Sequence, residues 1–168
     1  MPVIITDDMR AVIDSAHLCF AATVNADGSP NLSPKGTIRV WDDRRLFFLD
    51  IASPGTVANL RRDDRIVVNV VEHLSRRGYR FTGRATLHRD DAVHADAIRR
   101  VFAGEGTTYP VQHVVLIVVE RAEVLASPGY VHVADENAMR ALWKTRRAGL
   151  DDAFDAHVAR VGPWQPPA

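Results

Sequence analysis

The chain has 168 residues, 46% of them hydrophobic and 25% charged, the balance of an ordinary globular domain with a sizeable core. Lysine plus arginine equals aspartate plus glutamate at 21 each, which argues against a nucleic-acid or polyanion binder, since those carry a basic excess. The single cysteine, Cys19, excludes an intrachain disulfide and a cysteine-based metal cluster; its apolar neighbours predict a buried structural thiol.

The N-terminal segment carries Asp7 and Asp8 and no long apolar run, so no signal peptide is expected and a cytoplasmic address follows. Residues 7–16 read as a short helix, opened by acids and carrying Met9, Val12, Ile13 and Ala16 on one side. Residues 18–24 are β-rich, and Asp27-Gly28 is a hairpin signal, with 31–41 as the return strand. A polar turn at 42–45 leads to a third strand at 46–51. Ser53, Pro54, Gly55 and Thr56 then start a helix over 57–62, because Pro suits the first helical position and Ser the cap.

Residues 65–72 have a buried-strand pattern, and 79–88 alternate as strand five. There Arg80, Thr82 and Arg84 share one face and Tyr79, Phe81 and Gly83 the other, with Arg76 and Arg77 in an exposed loop. A helix follows over 90–102, then a loop over 104–110. A long β-branched strand spans 112–126; its apolar run at 114–119 is far too short to cross a bilayer. Residues 135–158 hold one or two helices, and 162–167 form an irregular tail. The whole of 1–168 reads as a single domain with a helical C-terminal extension from about residue 135. Six strands with mostly local connections predict a mainly β fold with flanking helices and an antiparallel barrel, not a doubly wound parallel sheet.

Three segments hold more chemistry than packing needs. Ser33, Pro34, Lys35, Gly36 and Thr37 place one of two lysines beside a glycine where a ligand can approach the backbone; an edge strand blocked by Pro and Lys is the alternative. Ser53, Gly55 and Thr56 start a helix, where free amides and the dipole suit a phosphate, or where the hydroxyls simply cap it. Asn59, one turn on, faces the same ligand or solvent. The arginine-rich strand around Arg80 supplies phosphate charge or a solvated face. The histidines, at 17, 73, 88, 94, 113, 132 and 157, have no metal-ligand spacing. No G-x-S-x-G elbow, G-x-G-x-x-G or Walker signature is present.

The ordered set of Cys19-Phe20-Ala21-Ala22-Thr23-Val24, Asp27-Gly28-Ser29-Pro30, the Ser33 segment, Leu46-Phe47-Phe48-Leu49-Asp50, the Ser53 segment, Asp64-Arg65-Ile66-Val67-Val68 and Arg80-Phe81-Thr82-Gly83-Arg84-Ala85 resembles the pyridoxamine 5'-phosphate oxidase family. The resemblance covers roughly residues 6–127. It implies a six-stranded split β-barrel that binds FMN in two symmetric clefts of a homodimer, and the apolar run at 114–119 is expected to contribute to that interface. It also implies that Ser33, Pro34, Lys35, Gly36 and Thr37 line the flavin ring. Leu49, Asp50, Ile51 and Ala52 would run along the ring and ribityl chain. Ser53, Gly55 and Thr56 would hold the phosphate, with charge from a base such as Arg80.

The chain departs from authentic pyridoxamine phosphate oxidases at several points. They carry an Arg-Lys pair where Gly55-Thr56 stands, and an Arg near Ser33 and a Gln near Gly78. Their C-terminal Trp and Arg-x-x-Arg signature has no match here. The expectation is therefore an FMN-dependent oxidoreductase of another small-molecule substrate or electron donor. It has no assigned catalytic residue, no metal, no nucleic-acid partner and no membrane; Tyr79 and Lys35 are the first side chains to test. The alternative is a non-catalytic flavin, deazaflavin or haem binding or sensing module.

Overall fold

The computed structural model describes residues 4–103 and 109–165; most of the expected loop at 104–110 and the end of the expected tail at 162–167 lie outside the described residues. Helix α1 (Asp7–Ala16) starts at Thr6, whose hydroxyl accepts from the Met9 amide. It buries Val12 and Ile13. Strands β1 (Cys19–Val24), β2 (Pro30–Lys35), β3 (Arg39–Val40) and β4 (Arg45–Asp50) follow, then α2 (Pro54–Arg62), β5 (Arg65–Glu72), β6 (Arg77–His88), α3 (Ala92–Phe102), β7 (His113–Ala126) and α4 (Glu136–Val161).

Seven strands form one sheet in the order β2-β1-β5-β6-β7-β4-β3. The pairs β1–β2, β1–β5, β5–β6, β4–β7 and β3–β4 are antiparallel. The two edge strands, β2 and β3, are consecutive in the chain, joined by residues 36–38. A flat sheet would hold them roughly 29 Å apart, at ~4.8 Å per spacing. The link from Lys35 to Arg39 reaches at most about 14 Å. The sheet therefore curls until its edges meet, and the fold is a mainly β split barrel with flanking helices. One expected strand, 31–41, is in fact two: the chain leaves one edge after Lys35 and joins the other at Arg39, so six expected strands become seven.

Two apolar clusters flank β4 and β7. Leu46, Phe48, Val115, Ile117 and Val119 pack inside the barrel with Ile13, Ala21, Val68 and Phe81. Phe47, Leu49, Val114 and Leu116 pack on the other side, against Ala97, Val101 and Phe102 of α3. Both faces of these strands are covered, which is why they read as unbroken apolar runs. Within the run at 114–119 only Val118 stays exposed.

The expected alternation on β6 holds: Tyr79, Phe81 and Gly83 are buried, while Arg80 and Arg84 are exposed. Arg77 is not in a loop. It opens β6, and both its Nη atoms donate to Asp8 at 2.9 Å, where the Tyr79 hydroxyl also donates. These donors, Arg77 first, hold the Asp8 carboxyl below its ordinary range and tie α1 to the sheet.

The chain divides into two compact units, one of residues 1–72 and 77–125 and one of residues 73–76 and 126–168. In the second, Tyr130 Oη donates to the Ser75 carbonyl at 2.6 Å, and the Arg76 guanidinium lies 4.1 Å from the Trp143 ring centroid. Helix α4 is capped by Asp135, whose carboxylate accepts from the Ala138 amide.

Candidate functional site

The site is built where β2, β4, the start of α2 and the start of β7 converge. Lys35, the last residue of β2, points into the barrel and is 4% exposed. Its Nζ donates to Ser33 Oγ and to Ser53 Oγ, both at 2.6 Å, and lies 5.6 Å from the Phe48 ring centroid. Among the described residues it makes no ion pair. Burial holds its ammonium below the ordinary lysine range, with the Asp50 charge pulling partly back. A buried cation with two neutral partners is not what an edge strand needs for solubility; such charges are normally paired.

Ser53 is the N-cap of α2, yet it makes no side-chain capping hydrogen bond. Its hydroxyl serves Lys35 instead. Pro54 has no amide, and Gly55 is exposed, with nothing within 4 Å of where its Cβ would stand. Thr56 is buried. The helix therefore begins without a side-chain cap, beside a lysine. Thr37 clamps the other side: its Oγ1 accepts from the Leu49 amide at 2.9 Å.

Asp50 ends β4 directly opposite His113 in the β4–β7 ladder. Its Oδ1 accepts from the Ser53 amide at 2.9 Å, and its Oδ2 lies 3.2 Å from His113 Nδ1. A carboxylate only accepts, so Nδ1 carries a proton, and a guanidinium only donates, so an Nε2 that pairs with one accepts. The Arg61 guanidinium sits 3.1 Å from that Nε2. Asp50, Ile51, Ala52, Ser53, Arg61 and His113 are among the residues that line a cleft of about 370 Å³ beside α2.

The structure thus brings Ser33, Lys35, Asp50 and Ser53 together, joins Thr37 to Leu49, and lines the cleft with Ile51 and Ala52. Pro34 and Gly36 are exposed beside Lys35. Arg80 stands elsewhere in the protomer: it lies on the outward face of β6 and donates to Asn69 at 3.2 Å, three strands from β2. Asn59 does not face solvent. It is buried and donates to Thr23 Oγ1 at 3.0 Å and Asn25 Oδ1 at 2.9 Å. His113 and Arg61 were not singled out by the sequence, because they meet only through the pairing of strands far apart in the chain. Cys19 is fully buried, and burial pushes its thiol up to about 12. Among the described residues no group of three or more His, Cys, Asp or Glu side chains is placed to hold a metal ion. No helix among them is long and apolar enough to cross a membrane.

Comparison with solved structures places this barrel among known relatives. HupZ from Group A Streptococcus is 31% identical with a TM-score of 0.66, covering 74% of this chain and 96% of that one. A Lactobacillus delbrueckii protein provisionally described as a pyridoxamine 5'-phosphate oxidase is 26% identical with a TM-score of 0.60, over 71% of this chain and 93% of that one. An FMN-binding protein from Syntrophomonas wolfei, 14% identical, shares the fold with a TM-score of 0.56, over 71% of this chain and 90% of that one. No curated protein sequence matches. The family profile described as pyridoxamine 5'-phosphate oxidase matches residues 5–126, the stretch that holds the barrel and every residue of the site, and the chain accordingly belongs to the pyridoxamine 5'-phosphate oxidase family.

Proposed function

We propose that the chain is an FMN-binding flavoprotein, an oxidoreductase for a small-molecule substrate other than pyridoxamine 5'-phosphate. The observation that carries this reading is the uncapped start of α2 beside Lys35. A phosphate suits that spot, because first-turn amides lack intrahelical partners and the helix dipole favours an anion. The open space at Gly55 leaves room for it. Ser53 and the Gly55 backbone would hold the phosphate, and Lys35 would supply the nearby positive charge. Leu49, Asp50, Ile51 and Ala52 would run beside the rest of the molecule. FMN, when bound, supplies the hydride chemistry; the chain binds, orients and excludes water.

A homodimer is part of the same proposal. The outward sheet face carries Leu18, Phe20, Val24, Leu32 and Val71, all exposed, with Leu32 at 65%. An apolar face of this kind suits a second copy of the chain. Arg80, on that outward face, would then be available to the partner's site rather than its own.

Lys35 tests the proposal. Reduction adds negative charge to a bound flavin, which a buried ammonium nearby favours. Lys35→Met keeps the apolar stem and removes the charge. The variant should bind FMN more weakly, since the phosphate loses a nearby charge, and once saturated with FMN it should show a reduction potential lower by tens of millivolts, since ~30 mV corresponds to about 1.4 kcal/mol for a two-electron couple. Lys35→Arg should restore most of the difference. Dye-equilibration titrations of the three proteins in one buffer read the shift. Coincident potentials in folded proteins would remove Lys35 from the flavin's electrostatics.

A further inference from the structure

We propose that the cleft between the start of α2 and the start of β7 is a substrate subsite for a small organic anion, a carboxylate or phosphate monoester with an apolar body, gripped by Arg61. Calling that anion the substrate rests on the flavoprotein reading; the anion site itself rests on the side chains around the cleft.

The cleft is about 370 Å³, room for a ring-sized molecule. Its lining combines apolar side chains, Ile51, Ala52, Pro54, Val57 and Ala58, with polar ones, Asp50, Ser53, Arg61, Gln112 and His113, and Pro54, Val57, Ala58 and Arg61 share one face of α2. The charges among the polar residues are not balanced. Asp50 is buried, with both oxygens used, one by the Ser53 amide and one by His113. Arg61 makes no ion pair among the described residues. Its one hydrogen-bond partner there is an uncharged ring nitrogen, His113 Nε2 at 3.1 Å. Guanidinium has five N–H donors in a planar fork, so most of its donors remain for a ligand. A fork held at one corner and free along its edge matches a carboxylate or phosphate, which takes two parallel N–H bonds.

The side chains behind Arg61 explain its orientation. Asp50 fixes the tautomer of His113, and that tautomer presents a lone pair to the guanidinium. His113 is therefore a positioning residue for Arg61. This anion site adjoins the proposed FMN site, with which it shares Asp50, Ile51, Ala52 and Ser53, but its cation is set apart from the phosphate cradle. Arg61 lies six residues beyond Gly55 on the same helix, about 9 Å along its axis at ~1.5 Å per residue.

The test uses benzoate and phenyl phosphate as probe anions and benzamide as the neutral counterpart, on the FMN-loaded protein. Binding is followed by amide shifts of the cleft residues in NMR titrations. At least one anion should saturate, and which one does separates carboxylate from phosphate recognition; benzamide should bind at least tenfold more weakly. Arg61→Gln should weaken the bound anion tenfold or more, leaving benzamide and FMN affinity unchanged. His113→Leu should weaken the anion as well, and His113→Gln, which keeps an acceptor for Arg61, should recover most of the loss. Equal binding of benzamide and both anions overturns the proposal, as does an Arg61→Gln variant that binds them like the wild type. A parallel loss of FMN affinity in Arg61→Gln also overturns it, since Arg61 would then serve the flavin phosphate. A chain that takes up no FMN yet binds an anion through Arg61 would sink the flavoprotein reading and leave the anion site standing.

Discussion

Gly55→Glu is expected to weaken FMN binding by about two orders of magnitude or more without destabilising the chain. Gly55 is exposed at the start of α2, and a side chain added there meets nothing within 4 Å, so the substitution carries no steric cost. A glutamate in the first turn favours the helix by about 0.3–1 kcal/mol through its dipole, so thermal stability should hold or rise slightly. A carboxylate brought to ~4 Å from a phosphate charge costs about 4 kcal/mol at an effective dielectric near 20. Exposure at the helix start lowers that figure, but about 2.7 kcal/mol is already a hundredfold. Riboflavin, which lacks the phosphate, is the control and should lose little. Fluorescence titrations of both ligands read the difference. Equal losses for FMN and riboflavin, or none for either, would show that no phosphate sits at Gly55.

Gly83→Ala should cost about 3 kcal/mol or more and lower the melting temperature by roughly 10 °C, at ~2–4 °C per kcal/mol for a chain of this size. A Cβ at Gly83 would stand 2.1 Å from the Val118 carbonyl oxygen and 3.2 Å from Ile117 Cγ2. The first contact is with backbone, which cannot rotate away, so β6 and β7 would have to part. Gly55→Ala, made where space is open, serves as the comparison and should melt close to the wild type. If the two alanine variants melt together, β6 and β7 do not approach as closely as described.

Gly83 also shows what the sequence could and could not say. The Gly83-Arg84-Ala85 pattern marked the family, but its reason is visible only once β7 lies against β6. Elements were legible wherever the signal was local. The Asp7–Ala16 helix and the Arg65–Glu72 strand fall where periodicity put them, because amphipathic spacing and β-branched runs act over a few residues. The second strand was read too long, since nothing local says that residues 36–38 must cross from one edge of the sheet to the other.

Within the site, Lys35 and Ser53 were marked from their own segments, but their 2.6 Å contact depends on the barrel closing. His113 and Arg61 carried no local mark at all. Asp50 meets His113 only through the β4–β7 register, a pairing between residues 63 positions apart. Asn59 was ambiguous for a similar reason: its partners, Thr23 and Asn25, lie on another hairpin. The apolar run at 114–119 pointed to burial correctly, and α3 and the barrel interior cover all of it but Val118.

Flavin binding is the claim on which the functional account turns, and a visible absorbance spectrum of the purified protein, taken after incubation with FMN and removal of unbound ligand, tests it most directly. The expected result is a yellow protein with an oxidised-flavin spectrum, close to one FMN per chain, and release of intact FMN on denaturation. A protein that remains colourless after the same treatment, or that shows a Soret band in place of the flavin bands, would contradict it.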